Sequence, residues 1–233
     1  MVSLRDLAHR RKACDGEVCP MTERTVLALD LSSTRGVIAV TRGQEVLFET
    51  SFQSERSHNA QVFPPLREAL AIIGEQKAVI AVGTGPGSYT GVRISIAAVQ
   101  GIALSRDWPV VGLPSIATVN LPHYHVLGDA RRGSFYTATV SDGQLIVPPT
   151  LQTAELALAQ ISKGGKWITL DAKAPSISMD LECYQPEAQQ LGRIVGHWSD
   201  EEVNSKSLAQ LEPIYLQEAF VTIAKKVGKT VPF

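Results

Sequence analysis

Residues 79–101 read VIAVGTGPGSYTGVRISIAAVQG, and this stretch decides the fold. The run from Ala78 to Val82 is short, partly β-branched and closed by glycine, which is typical of a strand buried on both faces of a parallel sheet. Three closely spaced glycines and a proline follow, so a tight loop with one preferred shape is expected next. The stretch therefore predicts a strand, a glycine-rich loop and a helix.

The helix is expected to begin at a cap from Ser88 or Thr90 and to end near Ser105. One side carries an apolar stripe suited to packing on a sheet, formed by Val92, Ile96, Val99 and Ala103. Another side carries only small residues: Gly91, Ser95, Ala98, Gly101 and Ser105. Small residues let a second helix approach closely, so this side predicts a cover that is either another helix of the chain or a partner subunit.

The glycine-rich loop has a second interpretation, as an anion site at a helix start. The residues concerned are Gly83, Gly85, Pro86, Gly87, Ser88, Thr90 and Arg93. The loop lacks the Gly-Lys-Ser/Thr ending of a P-loop and the spacing and downstream acid of a dinucleotide fingerprint. A purely structural turn is the alternative, with Arg93 facing solvent or a partner.

The same strand-and-turn pattern occurs twice along the chain. Three strands joined by hairpins open the domain, and the first of them ends at Asp30. A helix over Phe63–Ile73 follows, expected to start near Pro64-Pro65. From His125 the order of strand, aspartate, glycine-containing turn and strand recurs, with Asp129 at the strand end. The repeat predicts two lobes of related topology.

Strand-end aspartates before small turns hold phosphates and magnesium in two-lobed sugar-kinase, actin and Hsp70-type folds. In this chain Asp30, Ser32, Ser33 and Asp129 occupy such positions. Serine stands where such nucleotide sites usually carry glycine, so these residues are interpreted as remnants of a degenerate nucleotide site. The alternative is that Asp30 caps its own turn.

Composition excludes several classes of protein. The chain has 233 residues, 44% of them hydrophobic, and its formal net charge of -1 provides no overall attraction for nucleic acid. Cys14, Cys19 and Cys183 are too few for a disulfide framework, which favours a reducing, cytoplasmic compartment. No apolar run approaches the roughly 20 residues that a membrane span requires.

No residues are assigned to catalysis or to a metal. His123 and His125 are two residues apart and have no acidic partner nearby in sequence, so ordinary histidines are the better interpretation. The chain has no Gly-x-Ser-x-Gly elbow and no nucleophile with a sequence-visible base.

Four motifs in order resemble the TsaB (YeaZ-like) family of the tRNA threonylcarbamoyladenosine machinery. They lie at residues 83–93, 111–115, 129–133 and 213–216, and the opening at residues 27–32 is similar as well. The resemblance covers roughly residues 25–217, and its central motif is the glycine-rich loop with the helix that follows.

The resemblance implies a two-lobed actin-like (Hsp70-like, ribonuclease H-like) α/β ATPase fold with a degenerate nucleotide site. Family members are non-catalytic subunits that dimerise with TsaD, which transfers the threonylcarbamoyl group to the adenosine next to the anticodon of tRNAs reading codons that begin with A. TsaE, a P-loop ATPase, completes the set. No cofactor is expected to bind tightly to this chain alone, and ATP, ADP and metal are expected in the partner subunits.

The small-residue helix side is then the expected TsaD surface, and two copies are expected to pair through it when TsaD is absent. Transfer RNA is expected to be reached through the complex, and no membrane contact is expected. The rival function is a stand-alone ATP-dependent, kinase-like enzyme of the same fold. It predicts Mg-ATP turnover by the isolated chain.

The expected organisation has four segments. Residues 1–24 form a disordered extension in which Met21 is an alternative start, 25–119 the first lobe, 120–205 a smaller second lobe, and 206–233 a partly mobile tail. Gln217 departs from the family's usual arginine, and Ser95 stands where the family often has glycine.

Overall fold

A computed structural model describes residues 24–53, 58–177, 180–207 and 210–216. Its first sheet has the strand order β3-β2-β1-β4-β5, in which β1 pairs antiparallel with β2 and parallel with β4. The strands are β1 (Thr25–Asp30), β2 (Arg35–Arg42), β3 (Glu45–Gln53), β4 (Val79–Gly83) and β5 (Val110–Leu113). The predicted opening hairpins and the buried strand before the glycine-rich loop are confirmed.

The second sheet repeats the first, with the order β10-β9-β6-β7-β8. Strand β6 pairs antiparallel with β7 and parallel with β9, as β1 does with β2 and β4. The strands are β6 (His123–Arg131), β7 (Ser134–Ser141), β8 (Gln144–Gln152), β9 (Trp167–Thr169) and β10 (Glu182–Cys183). The predicted two-lobed fold with duplicated topology is therefore confirmed.

Five α-helices lie among the described residues: α1 (His58–Ile73), α2 (Tyr89–Arg106), α3 (Ala154–Ile161), α4 (Ala188–Gly196) and α5 (Asp200–Ser207). Helix α1 joins β3 to β4, and α3 joins the equivalent strands of the second lobe. Helix α2 joins β4 to β5, whereas residues 170–177 and 180–181, between β9 and β10, contain no helix. Among the described residues, only the first lobe therefore has a second helix that follows the first, α2 after α1.

Successive side chains of β1 point to opposite faces of the first sheet, and each face has its own core. Leu27 and Leu29 pack in the cluster that includes α1 and α2, whereas Val26 and Ala28 pack in the cluster that includes α4. The predicted apolar stripe of α2 is confirmed, because Val92, Ile96 and Val99 are buried in the first of these clusters and Ala103 packs against it.

The predicted second-lobe range of 120–205 is wrong at its end. Helix α4 buries Leu191 and Val195 against the first sheet, not the second, and Val203 of α5 joins the same cluster. Arg24, just before β1, donates to the carbonyl oxygens of Val195 and Trp198 and forms an ion pair with Asp200. The chain therefore returns to the first lobe after β10.

Two predicted helices differ in extent. Helix α1 begins at His58, so Pro64 and Pro65 lie inside it. The buried stripe Val62, Leu66, Ala69 and Ile73 begins before the prolines, and its burial offsets the backbone hydrogen bonds that the prolines remove.

The sequence from Ser115 to Asn120 also predicts the start of a helix, but the structure has only a single 3-10 turn there, Ser115–Ala117. The hydroxyl of Thr118 donates to the Ser115 carbonyl at 2.8 Å and that of Tyr124 to the Ile116 carbonyl at 2.7 Å, so side chains take the acceptors that a longer helix would use.

Residues 1–23 of the predicted N-terminal extension, Gln217 and the basic end of the tail lie outside the described residues. Arg24, the last residue of that predicted extension, belongs to the first lobe through its contacts with Val195, Trp198 and Asp200. Among the residues described, no helix is both long and apolar enough to cross a bilayer.

Candidate functional site

The glycine loop, residues 83–91, packs directly on the turn formed by residues 30–33. The Ser88 amide donates to the Ser32 carbonyl at 2.6 Å. A Cβ atom at Gly87 would lie 2.1 Å from the Ser32 carbonyl oxygen, and one at Gly91 would lie 1.9 Å from that of Leu31. These glycines are therefore required for close backbone approach, and the loop fixes the start of α2 against the end of β1.

Several backbone amides of the glycine loop donate hydrogen bonds to acceptors within the protein. The Thr84 amide donates to the Leu113 carbonyl at 2.8 Å, the Gly85 amide to the Ser115 hydroxyl at 2.9 Å and the Gly91 amide to the Ser88 hydroxyl at 3.2 Å. Ser88 is thus the cap of α2, and Thr90 is exposed. This geometry fits the structural turn better than an anion cradle, since four amides, with that of Ser88, are already engaged.

Asp30 caps its own turn, as the alternative interpretation predicts. Its Oδ1 accepts from the Ser32 amide at 2.7 Å, whereas Oδ2 is buried against Gly83 without a hydrogen-bond partner among the described residues. Burial raises the pKa of Asp30, and the nearby Ser115 and Ser32 hydroxyls and the Ser32 amide oppose that rise. The ionised carboxylate is therefore poorly accommodated.

Replacement Asp30→Asn is expected to stabilise the protein at neutral pH. With the pKa of Asp30 raised, the folded state binds more protons than the unfolded state above the ordinary aspartate pKa of about 3.9. The free energy of unfolding of the parent therefore falls as the pH rises from that value through the raised pKa of folded Asp30. The asparagine variant does not titrate and keeps its free energy of unfolding. We expect the free energy of unfolding of Asp30→Asn to exceed that of the parent by at least about 1 kcal/mol near neutral pH, and the difference to disappear in acid. Urea unfolding at both pH values measures it, and a pH-independent difference would contradict it.

Asp129 lies at the equivalent position of the second lobe, but its surroundings differ. It is exposed, and its Oδ1 accepts from the Arg131 amide at 2.7 Å. Its own amide donates to Oδ2 of Asp171 at 2.7 Å, and burial together with the Asp129 charge raises the pKa of Asp171. Sequence reasoning missed Asp171, although β9 runs parallel to β6 and its end lies at the same edge.

In the turn of the first lobe, Ser32 is buried and Ser33 is half-buried. The assignment of Asp30, Ser32, Ser33 and Asp129 to a degenerate nucleotide site stays a prediction.

An apolar groove of about 760 Å³ runs between α1 and α2. Three of the predicted small residues, Ala98, Gly101 and Ser105, line it. The other lining residues are Phe63, Leu66, Arg67, Leu70, Ile94, Ala97 and Ile102. Phe63 is 57% exposed, and nearby on α2 Leu104 is 90% exposed, so large apolar side chains remain in contact with water here.

Two members of the predicted small-residue side do not belong to this groove. Gly91 is buried against the Leu31 carbonyl, and Ser95 is buried with its hydroxyl donating to the Val92 carbonyl at 2.9 Å. The first turns of α2 lie on the end of β1, whereas a Cβ at Gly101 would meet nothing within 4 Å. Of the predicted small-residue side, only the part from Ala98 onward therefore lines the groove.

Comparison with known proteins agrees with this architecture. The family model described as "TsaD: tRNA N6-adenosine threonylcarbamoyltransferase" matches residues 49–178, more than half of the chain. The chain is 33% identical over 122 residues to the "tRNA threonylcarbamoyladenosine biosynthesis protein TsaB" of Bacillus subtilis, which covers 48% of the chain. The chain belongs to the TsaB (YeaZ-like) family. The match spans about half, 53%, of the length of the Bacillus subtilis TsaB.

Further relatives extend the match across the fold. An uncharacterised protein of Mycobacterium tuberculosis is 28% identical over 204 residues, 83% of this chain and 92% of that protein. The solved structure titled "YeaZ from Pseudomonas aeruginosa" covers 83% of this chain and all of its own, with a TM-score of 0.61 and 22% identity. A second Pseudomonas aeruginosa structure, titled as an uncharacterised protein with similarity to peptidase YEAZ, gives 0.65 at 22% identity. These structures confirm the fold.

Two motifs that carry the resemblance to the TsaB family are in contact. The tail motif, residues 213–216, docks on the glycine loop through the Ile214 amide, which donates to the Thr84 carbonyl at 2.8 Å. Tyr215 then lies beside Tyr89, with ring centroids 5.4 Å apart. Arg93 donates to the Tyr89 hydroxyl at 2.6 Å. We call Tyr89, Arg93 and Tyr215 the tyrosine–arginine cluster; sequence reasoning singled out only Arg93.

Proposed function

We propose that this chain is a non-catalytic subunit of a tRNA threonylcarbamoyl-transfer system, and that it holds a TsaD-type catalytic subunit through the groove between α1 and α2. The proposal takes the pathway from the relatives named TsaB. The observation that carries it is the groove itself, an apolar surface that the described residues leave uncovered beside the packed core of the first lobe.

The chemistry of the groove suits a helical partner. Leu66, Leu70 and Ile94 form its walls, and Gly101 and Ala97 allow a second backbone to come close. Burying such apolar surface contributes roughly 25 cal/mol for each Å² removed from water. In the absence of the catalytic subunit, we propose that two copies of the chain pair through the same groove.

The engaged amides of the glycine loop support a scaffold rather than an ATP-dependent enzyme. Nucleotide sites of this type present free backbone donors to phosphate, and here Thr84, Gly85 and Ser88 already donate to protein atoms. We therefore propose that ATP, ADP and metal bind in the TsaD-type and TsaE-type subunits. The modified nucleoside is proposed to be the adenosine next to the anticodon of tRNAs that read codons beginning with A.

Reconstitution tests this function. Threonylcarbamoyl transfer to tRNA is measured with the TsaD-type and TsaE-type subunits, with and without this chain. We expect transfer to depend on the chain, and the chain alone to show no Mg-ATP turnover. Transfer that is unchanged without the chain would refute the scaffold role, and ATP turnover by the isolated chain would favour the kinase-like alternative.

A further inference from the structure

The tyrosine–arginine cluster joins two parts of the chain that are far apart in sequence. Tyr89 is the first residue of α2, whereas Tyr215 belongs to the tail. Their rings are tilted by 36° at a centroid distance of 5.4 Å, and the residues are 48% and 51% exposed. Each tyrosine therefore presents aromatic surface to solvent beside the other.

The cluster is held in place from both lobes. Leu211, before Tyr215, packs against the core of the first lobe, and Leu216, after it, packs against the core of the second lobe. Between them the Ile214 amide donates to Thr84 in the glycine loop at 2.8 Å. A ligand that stacks on Tyr215 therefore meets a backbone that is already ordered, which lowers the entropic cost of binding.

The cation of this cluster is not neutralised by a carboxylate. The Arg93 guanidinium carbon lies 5.3 Å from the centroid of the Tyr89 ring, and among the described ranges Arg93 takes part in no ion pair. A second cation–tyrosine pair shows the contrast. Lys166 lies 5.8 Å from the Tyr184 ring centroid, but its Nζ is paired with a Glu182 carboxylate oxygen at 2.6 Å. Of these two cation–tyrosine pairs, the first therefore offers a positive charge beside aromatic surface that no carboxylate among the described residues compensates.

Exposed aromatic faces beside an arginine that lacks a carboxylate partner have the chemistry that binds an unpaired nucleotide, because a base stacks on the ring and its phosphate pairs with the guanidinium. A protein partner is less well matched, since the broad apolar surface is the groove between α1 and α2, and Thr90 and Gly87 beside the cluster are exposed and offer little apolar area. We propose that the tyrosine–arginine cluster binds an unpaired base of RNA. The choice of RNA rests on the proposed function, in which the substrate is a tRNA.

The probe is a hairpin RNA whose single-stranded loop carries a fluorescent adenine analogue, titrated with the full chain. Stacking on a tyrosine is expected to quench the analogue. Because one base–aromatic stack carries a large part of such binding, we expect Tyr89→Leu and Tyr215→Leu each to weaken affinity about tenfold. Tyr89→Phe keeps the ring and is expected to remain within about threefold of the parent.

Two further variants separate the cluster from general effects. Arg93→Gln is expected to lower the slope of log affinity against log salt by about 0.7, the value for one phosphate contact in a single strand. Tyr184→Leu is the matched control, since that tyrosine also has a neighbouring cation, and we expect its affinity and quenching to equal those of the parent. Thermal unfolding of each variant confirms that the fold is retained.

Unchanged quenching and affinity in both Tyr→Leu variants would overturn the inference. It would also be overturned if these variants bound the RNA normally but failed to co-purify with the TsaD-type subunit, because the cluster would then be a protein contact. Since the titration uses this chain alone, its failure is distinguishable from failure of the scaffold role, which the transfer assay measures.

Discussion

Replacement Gly91→Ala is expected to destabilise the fold by about 3 kcal/mol or more. Alanine usually favours a helix over glycine by about 1 kcal/mol, so propensity predicts the opposite sign. The new Cβ, however, would lie 1.9 Å from the Leu31 carbonyl oxygen, a backbone atom that cannot rotate away. Relief requires α2 to move off the end of β1, which breaks the contact on which the glycine loop is built. Urea unfolding monitored by circular dichroism measures the change.

Gly101→Ala is the matched control on the same helix. An added Cβ there meets nothing within 4 Å, so only propensity applies, and we expect a gain of about 0.5–1 kcal/mol. If Gly91→Ala and Gly101→Ala changed the free energy of unfolding equally, the close contact of α2 with Leu31 would not be the reason for a glycine at position 91.

Ala97→Trp is expected to weaken association with the TsaD-type subunit by at least about 100-fold, or about 2.7 kcal/mol. Ala97 is exposed and lines the groove, so an indole there occupies the space that a partner helix requires. Gly101→Leu is expected to act in the same direction. Co-purification and calorimetric titration with the TsaD-type subunit measure the loss.

Ala159→Trp is the control for this second substitution, because Ala159 is an exposed alanine on α3 in the other lobe. We expect it to leave association unchanged. Ala98 is a poorer test position, since it is half-buried and packs against the first-lobe core. Undiminished binding by Ala97→Trp with a stable fold would mean that the groove is not the partner surface.

The sequence was sufficient for most of the strands, because their apolar runs, hairpin turns and strand-end aspartates are local signals. The two-residue strand β10 was not predicted. The sequence was insufficient where distant parts of the chain meet. The local sequence predicts a helix near residues 185–198, but not that Leu191 and Val195 of this helix pack on the first sheet. Pro64 and Pro65 wrongly predicted where α1 begins. Burial of the apolar stripe from Val62 stabilises the helix more than the two backbone hydrogen bonds that the prolines remove would.

The site was predicted in part for a similar reason. Helical spacing places Gly91, Ser95 and Gly101 on one side of α2. It does not reveal that the N-terminal part of this side packs on the end of β1, whereas its C-terminal part is exposed to solvent. Ser95 and Gly101 therefore have opposite exposures despite their similar size. The contact of Tyr89 with Tyr215 depends on tail docking, for which the local sequence has no signal.

The described residues between β9 and β10 form no helix, which bears on how these chains would assemble under the proposed function. The two lobes share one strand order, but in the described residues only the first has two helices side by side with a groove between them. On the proposed function, each chain therefore offers one such groove among its described residues. We expect association through it to end at a pair, because the contact uses the one groove of each copy.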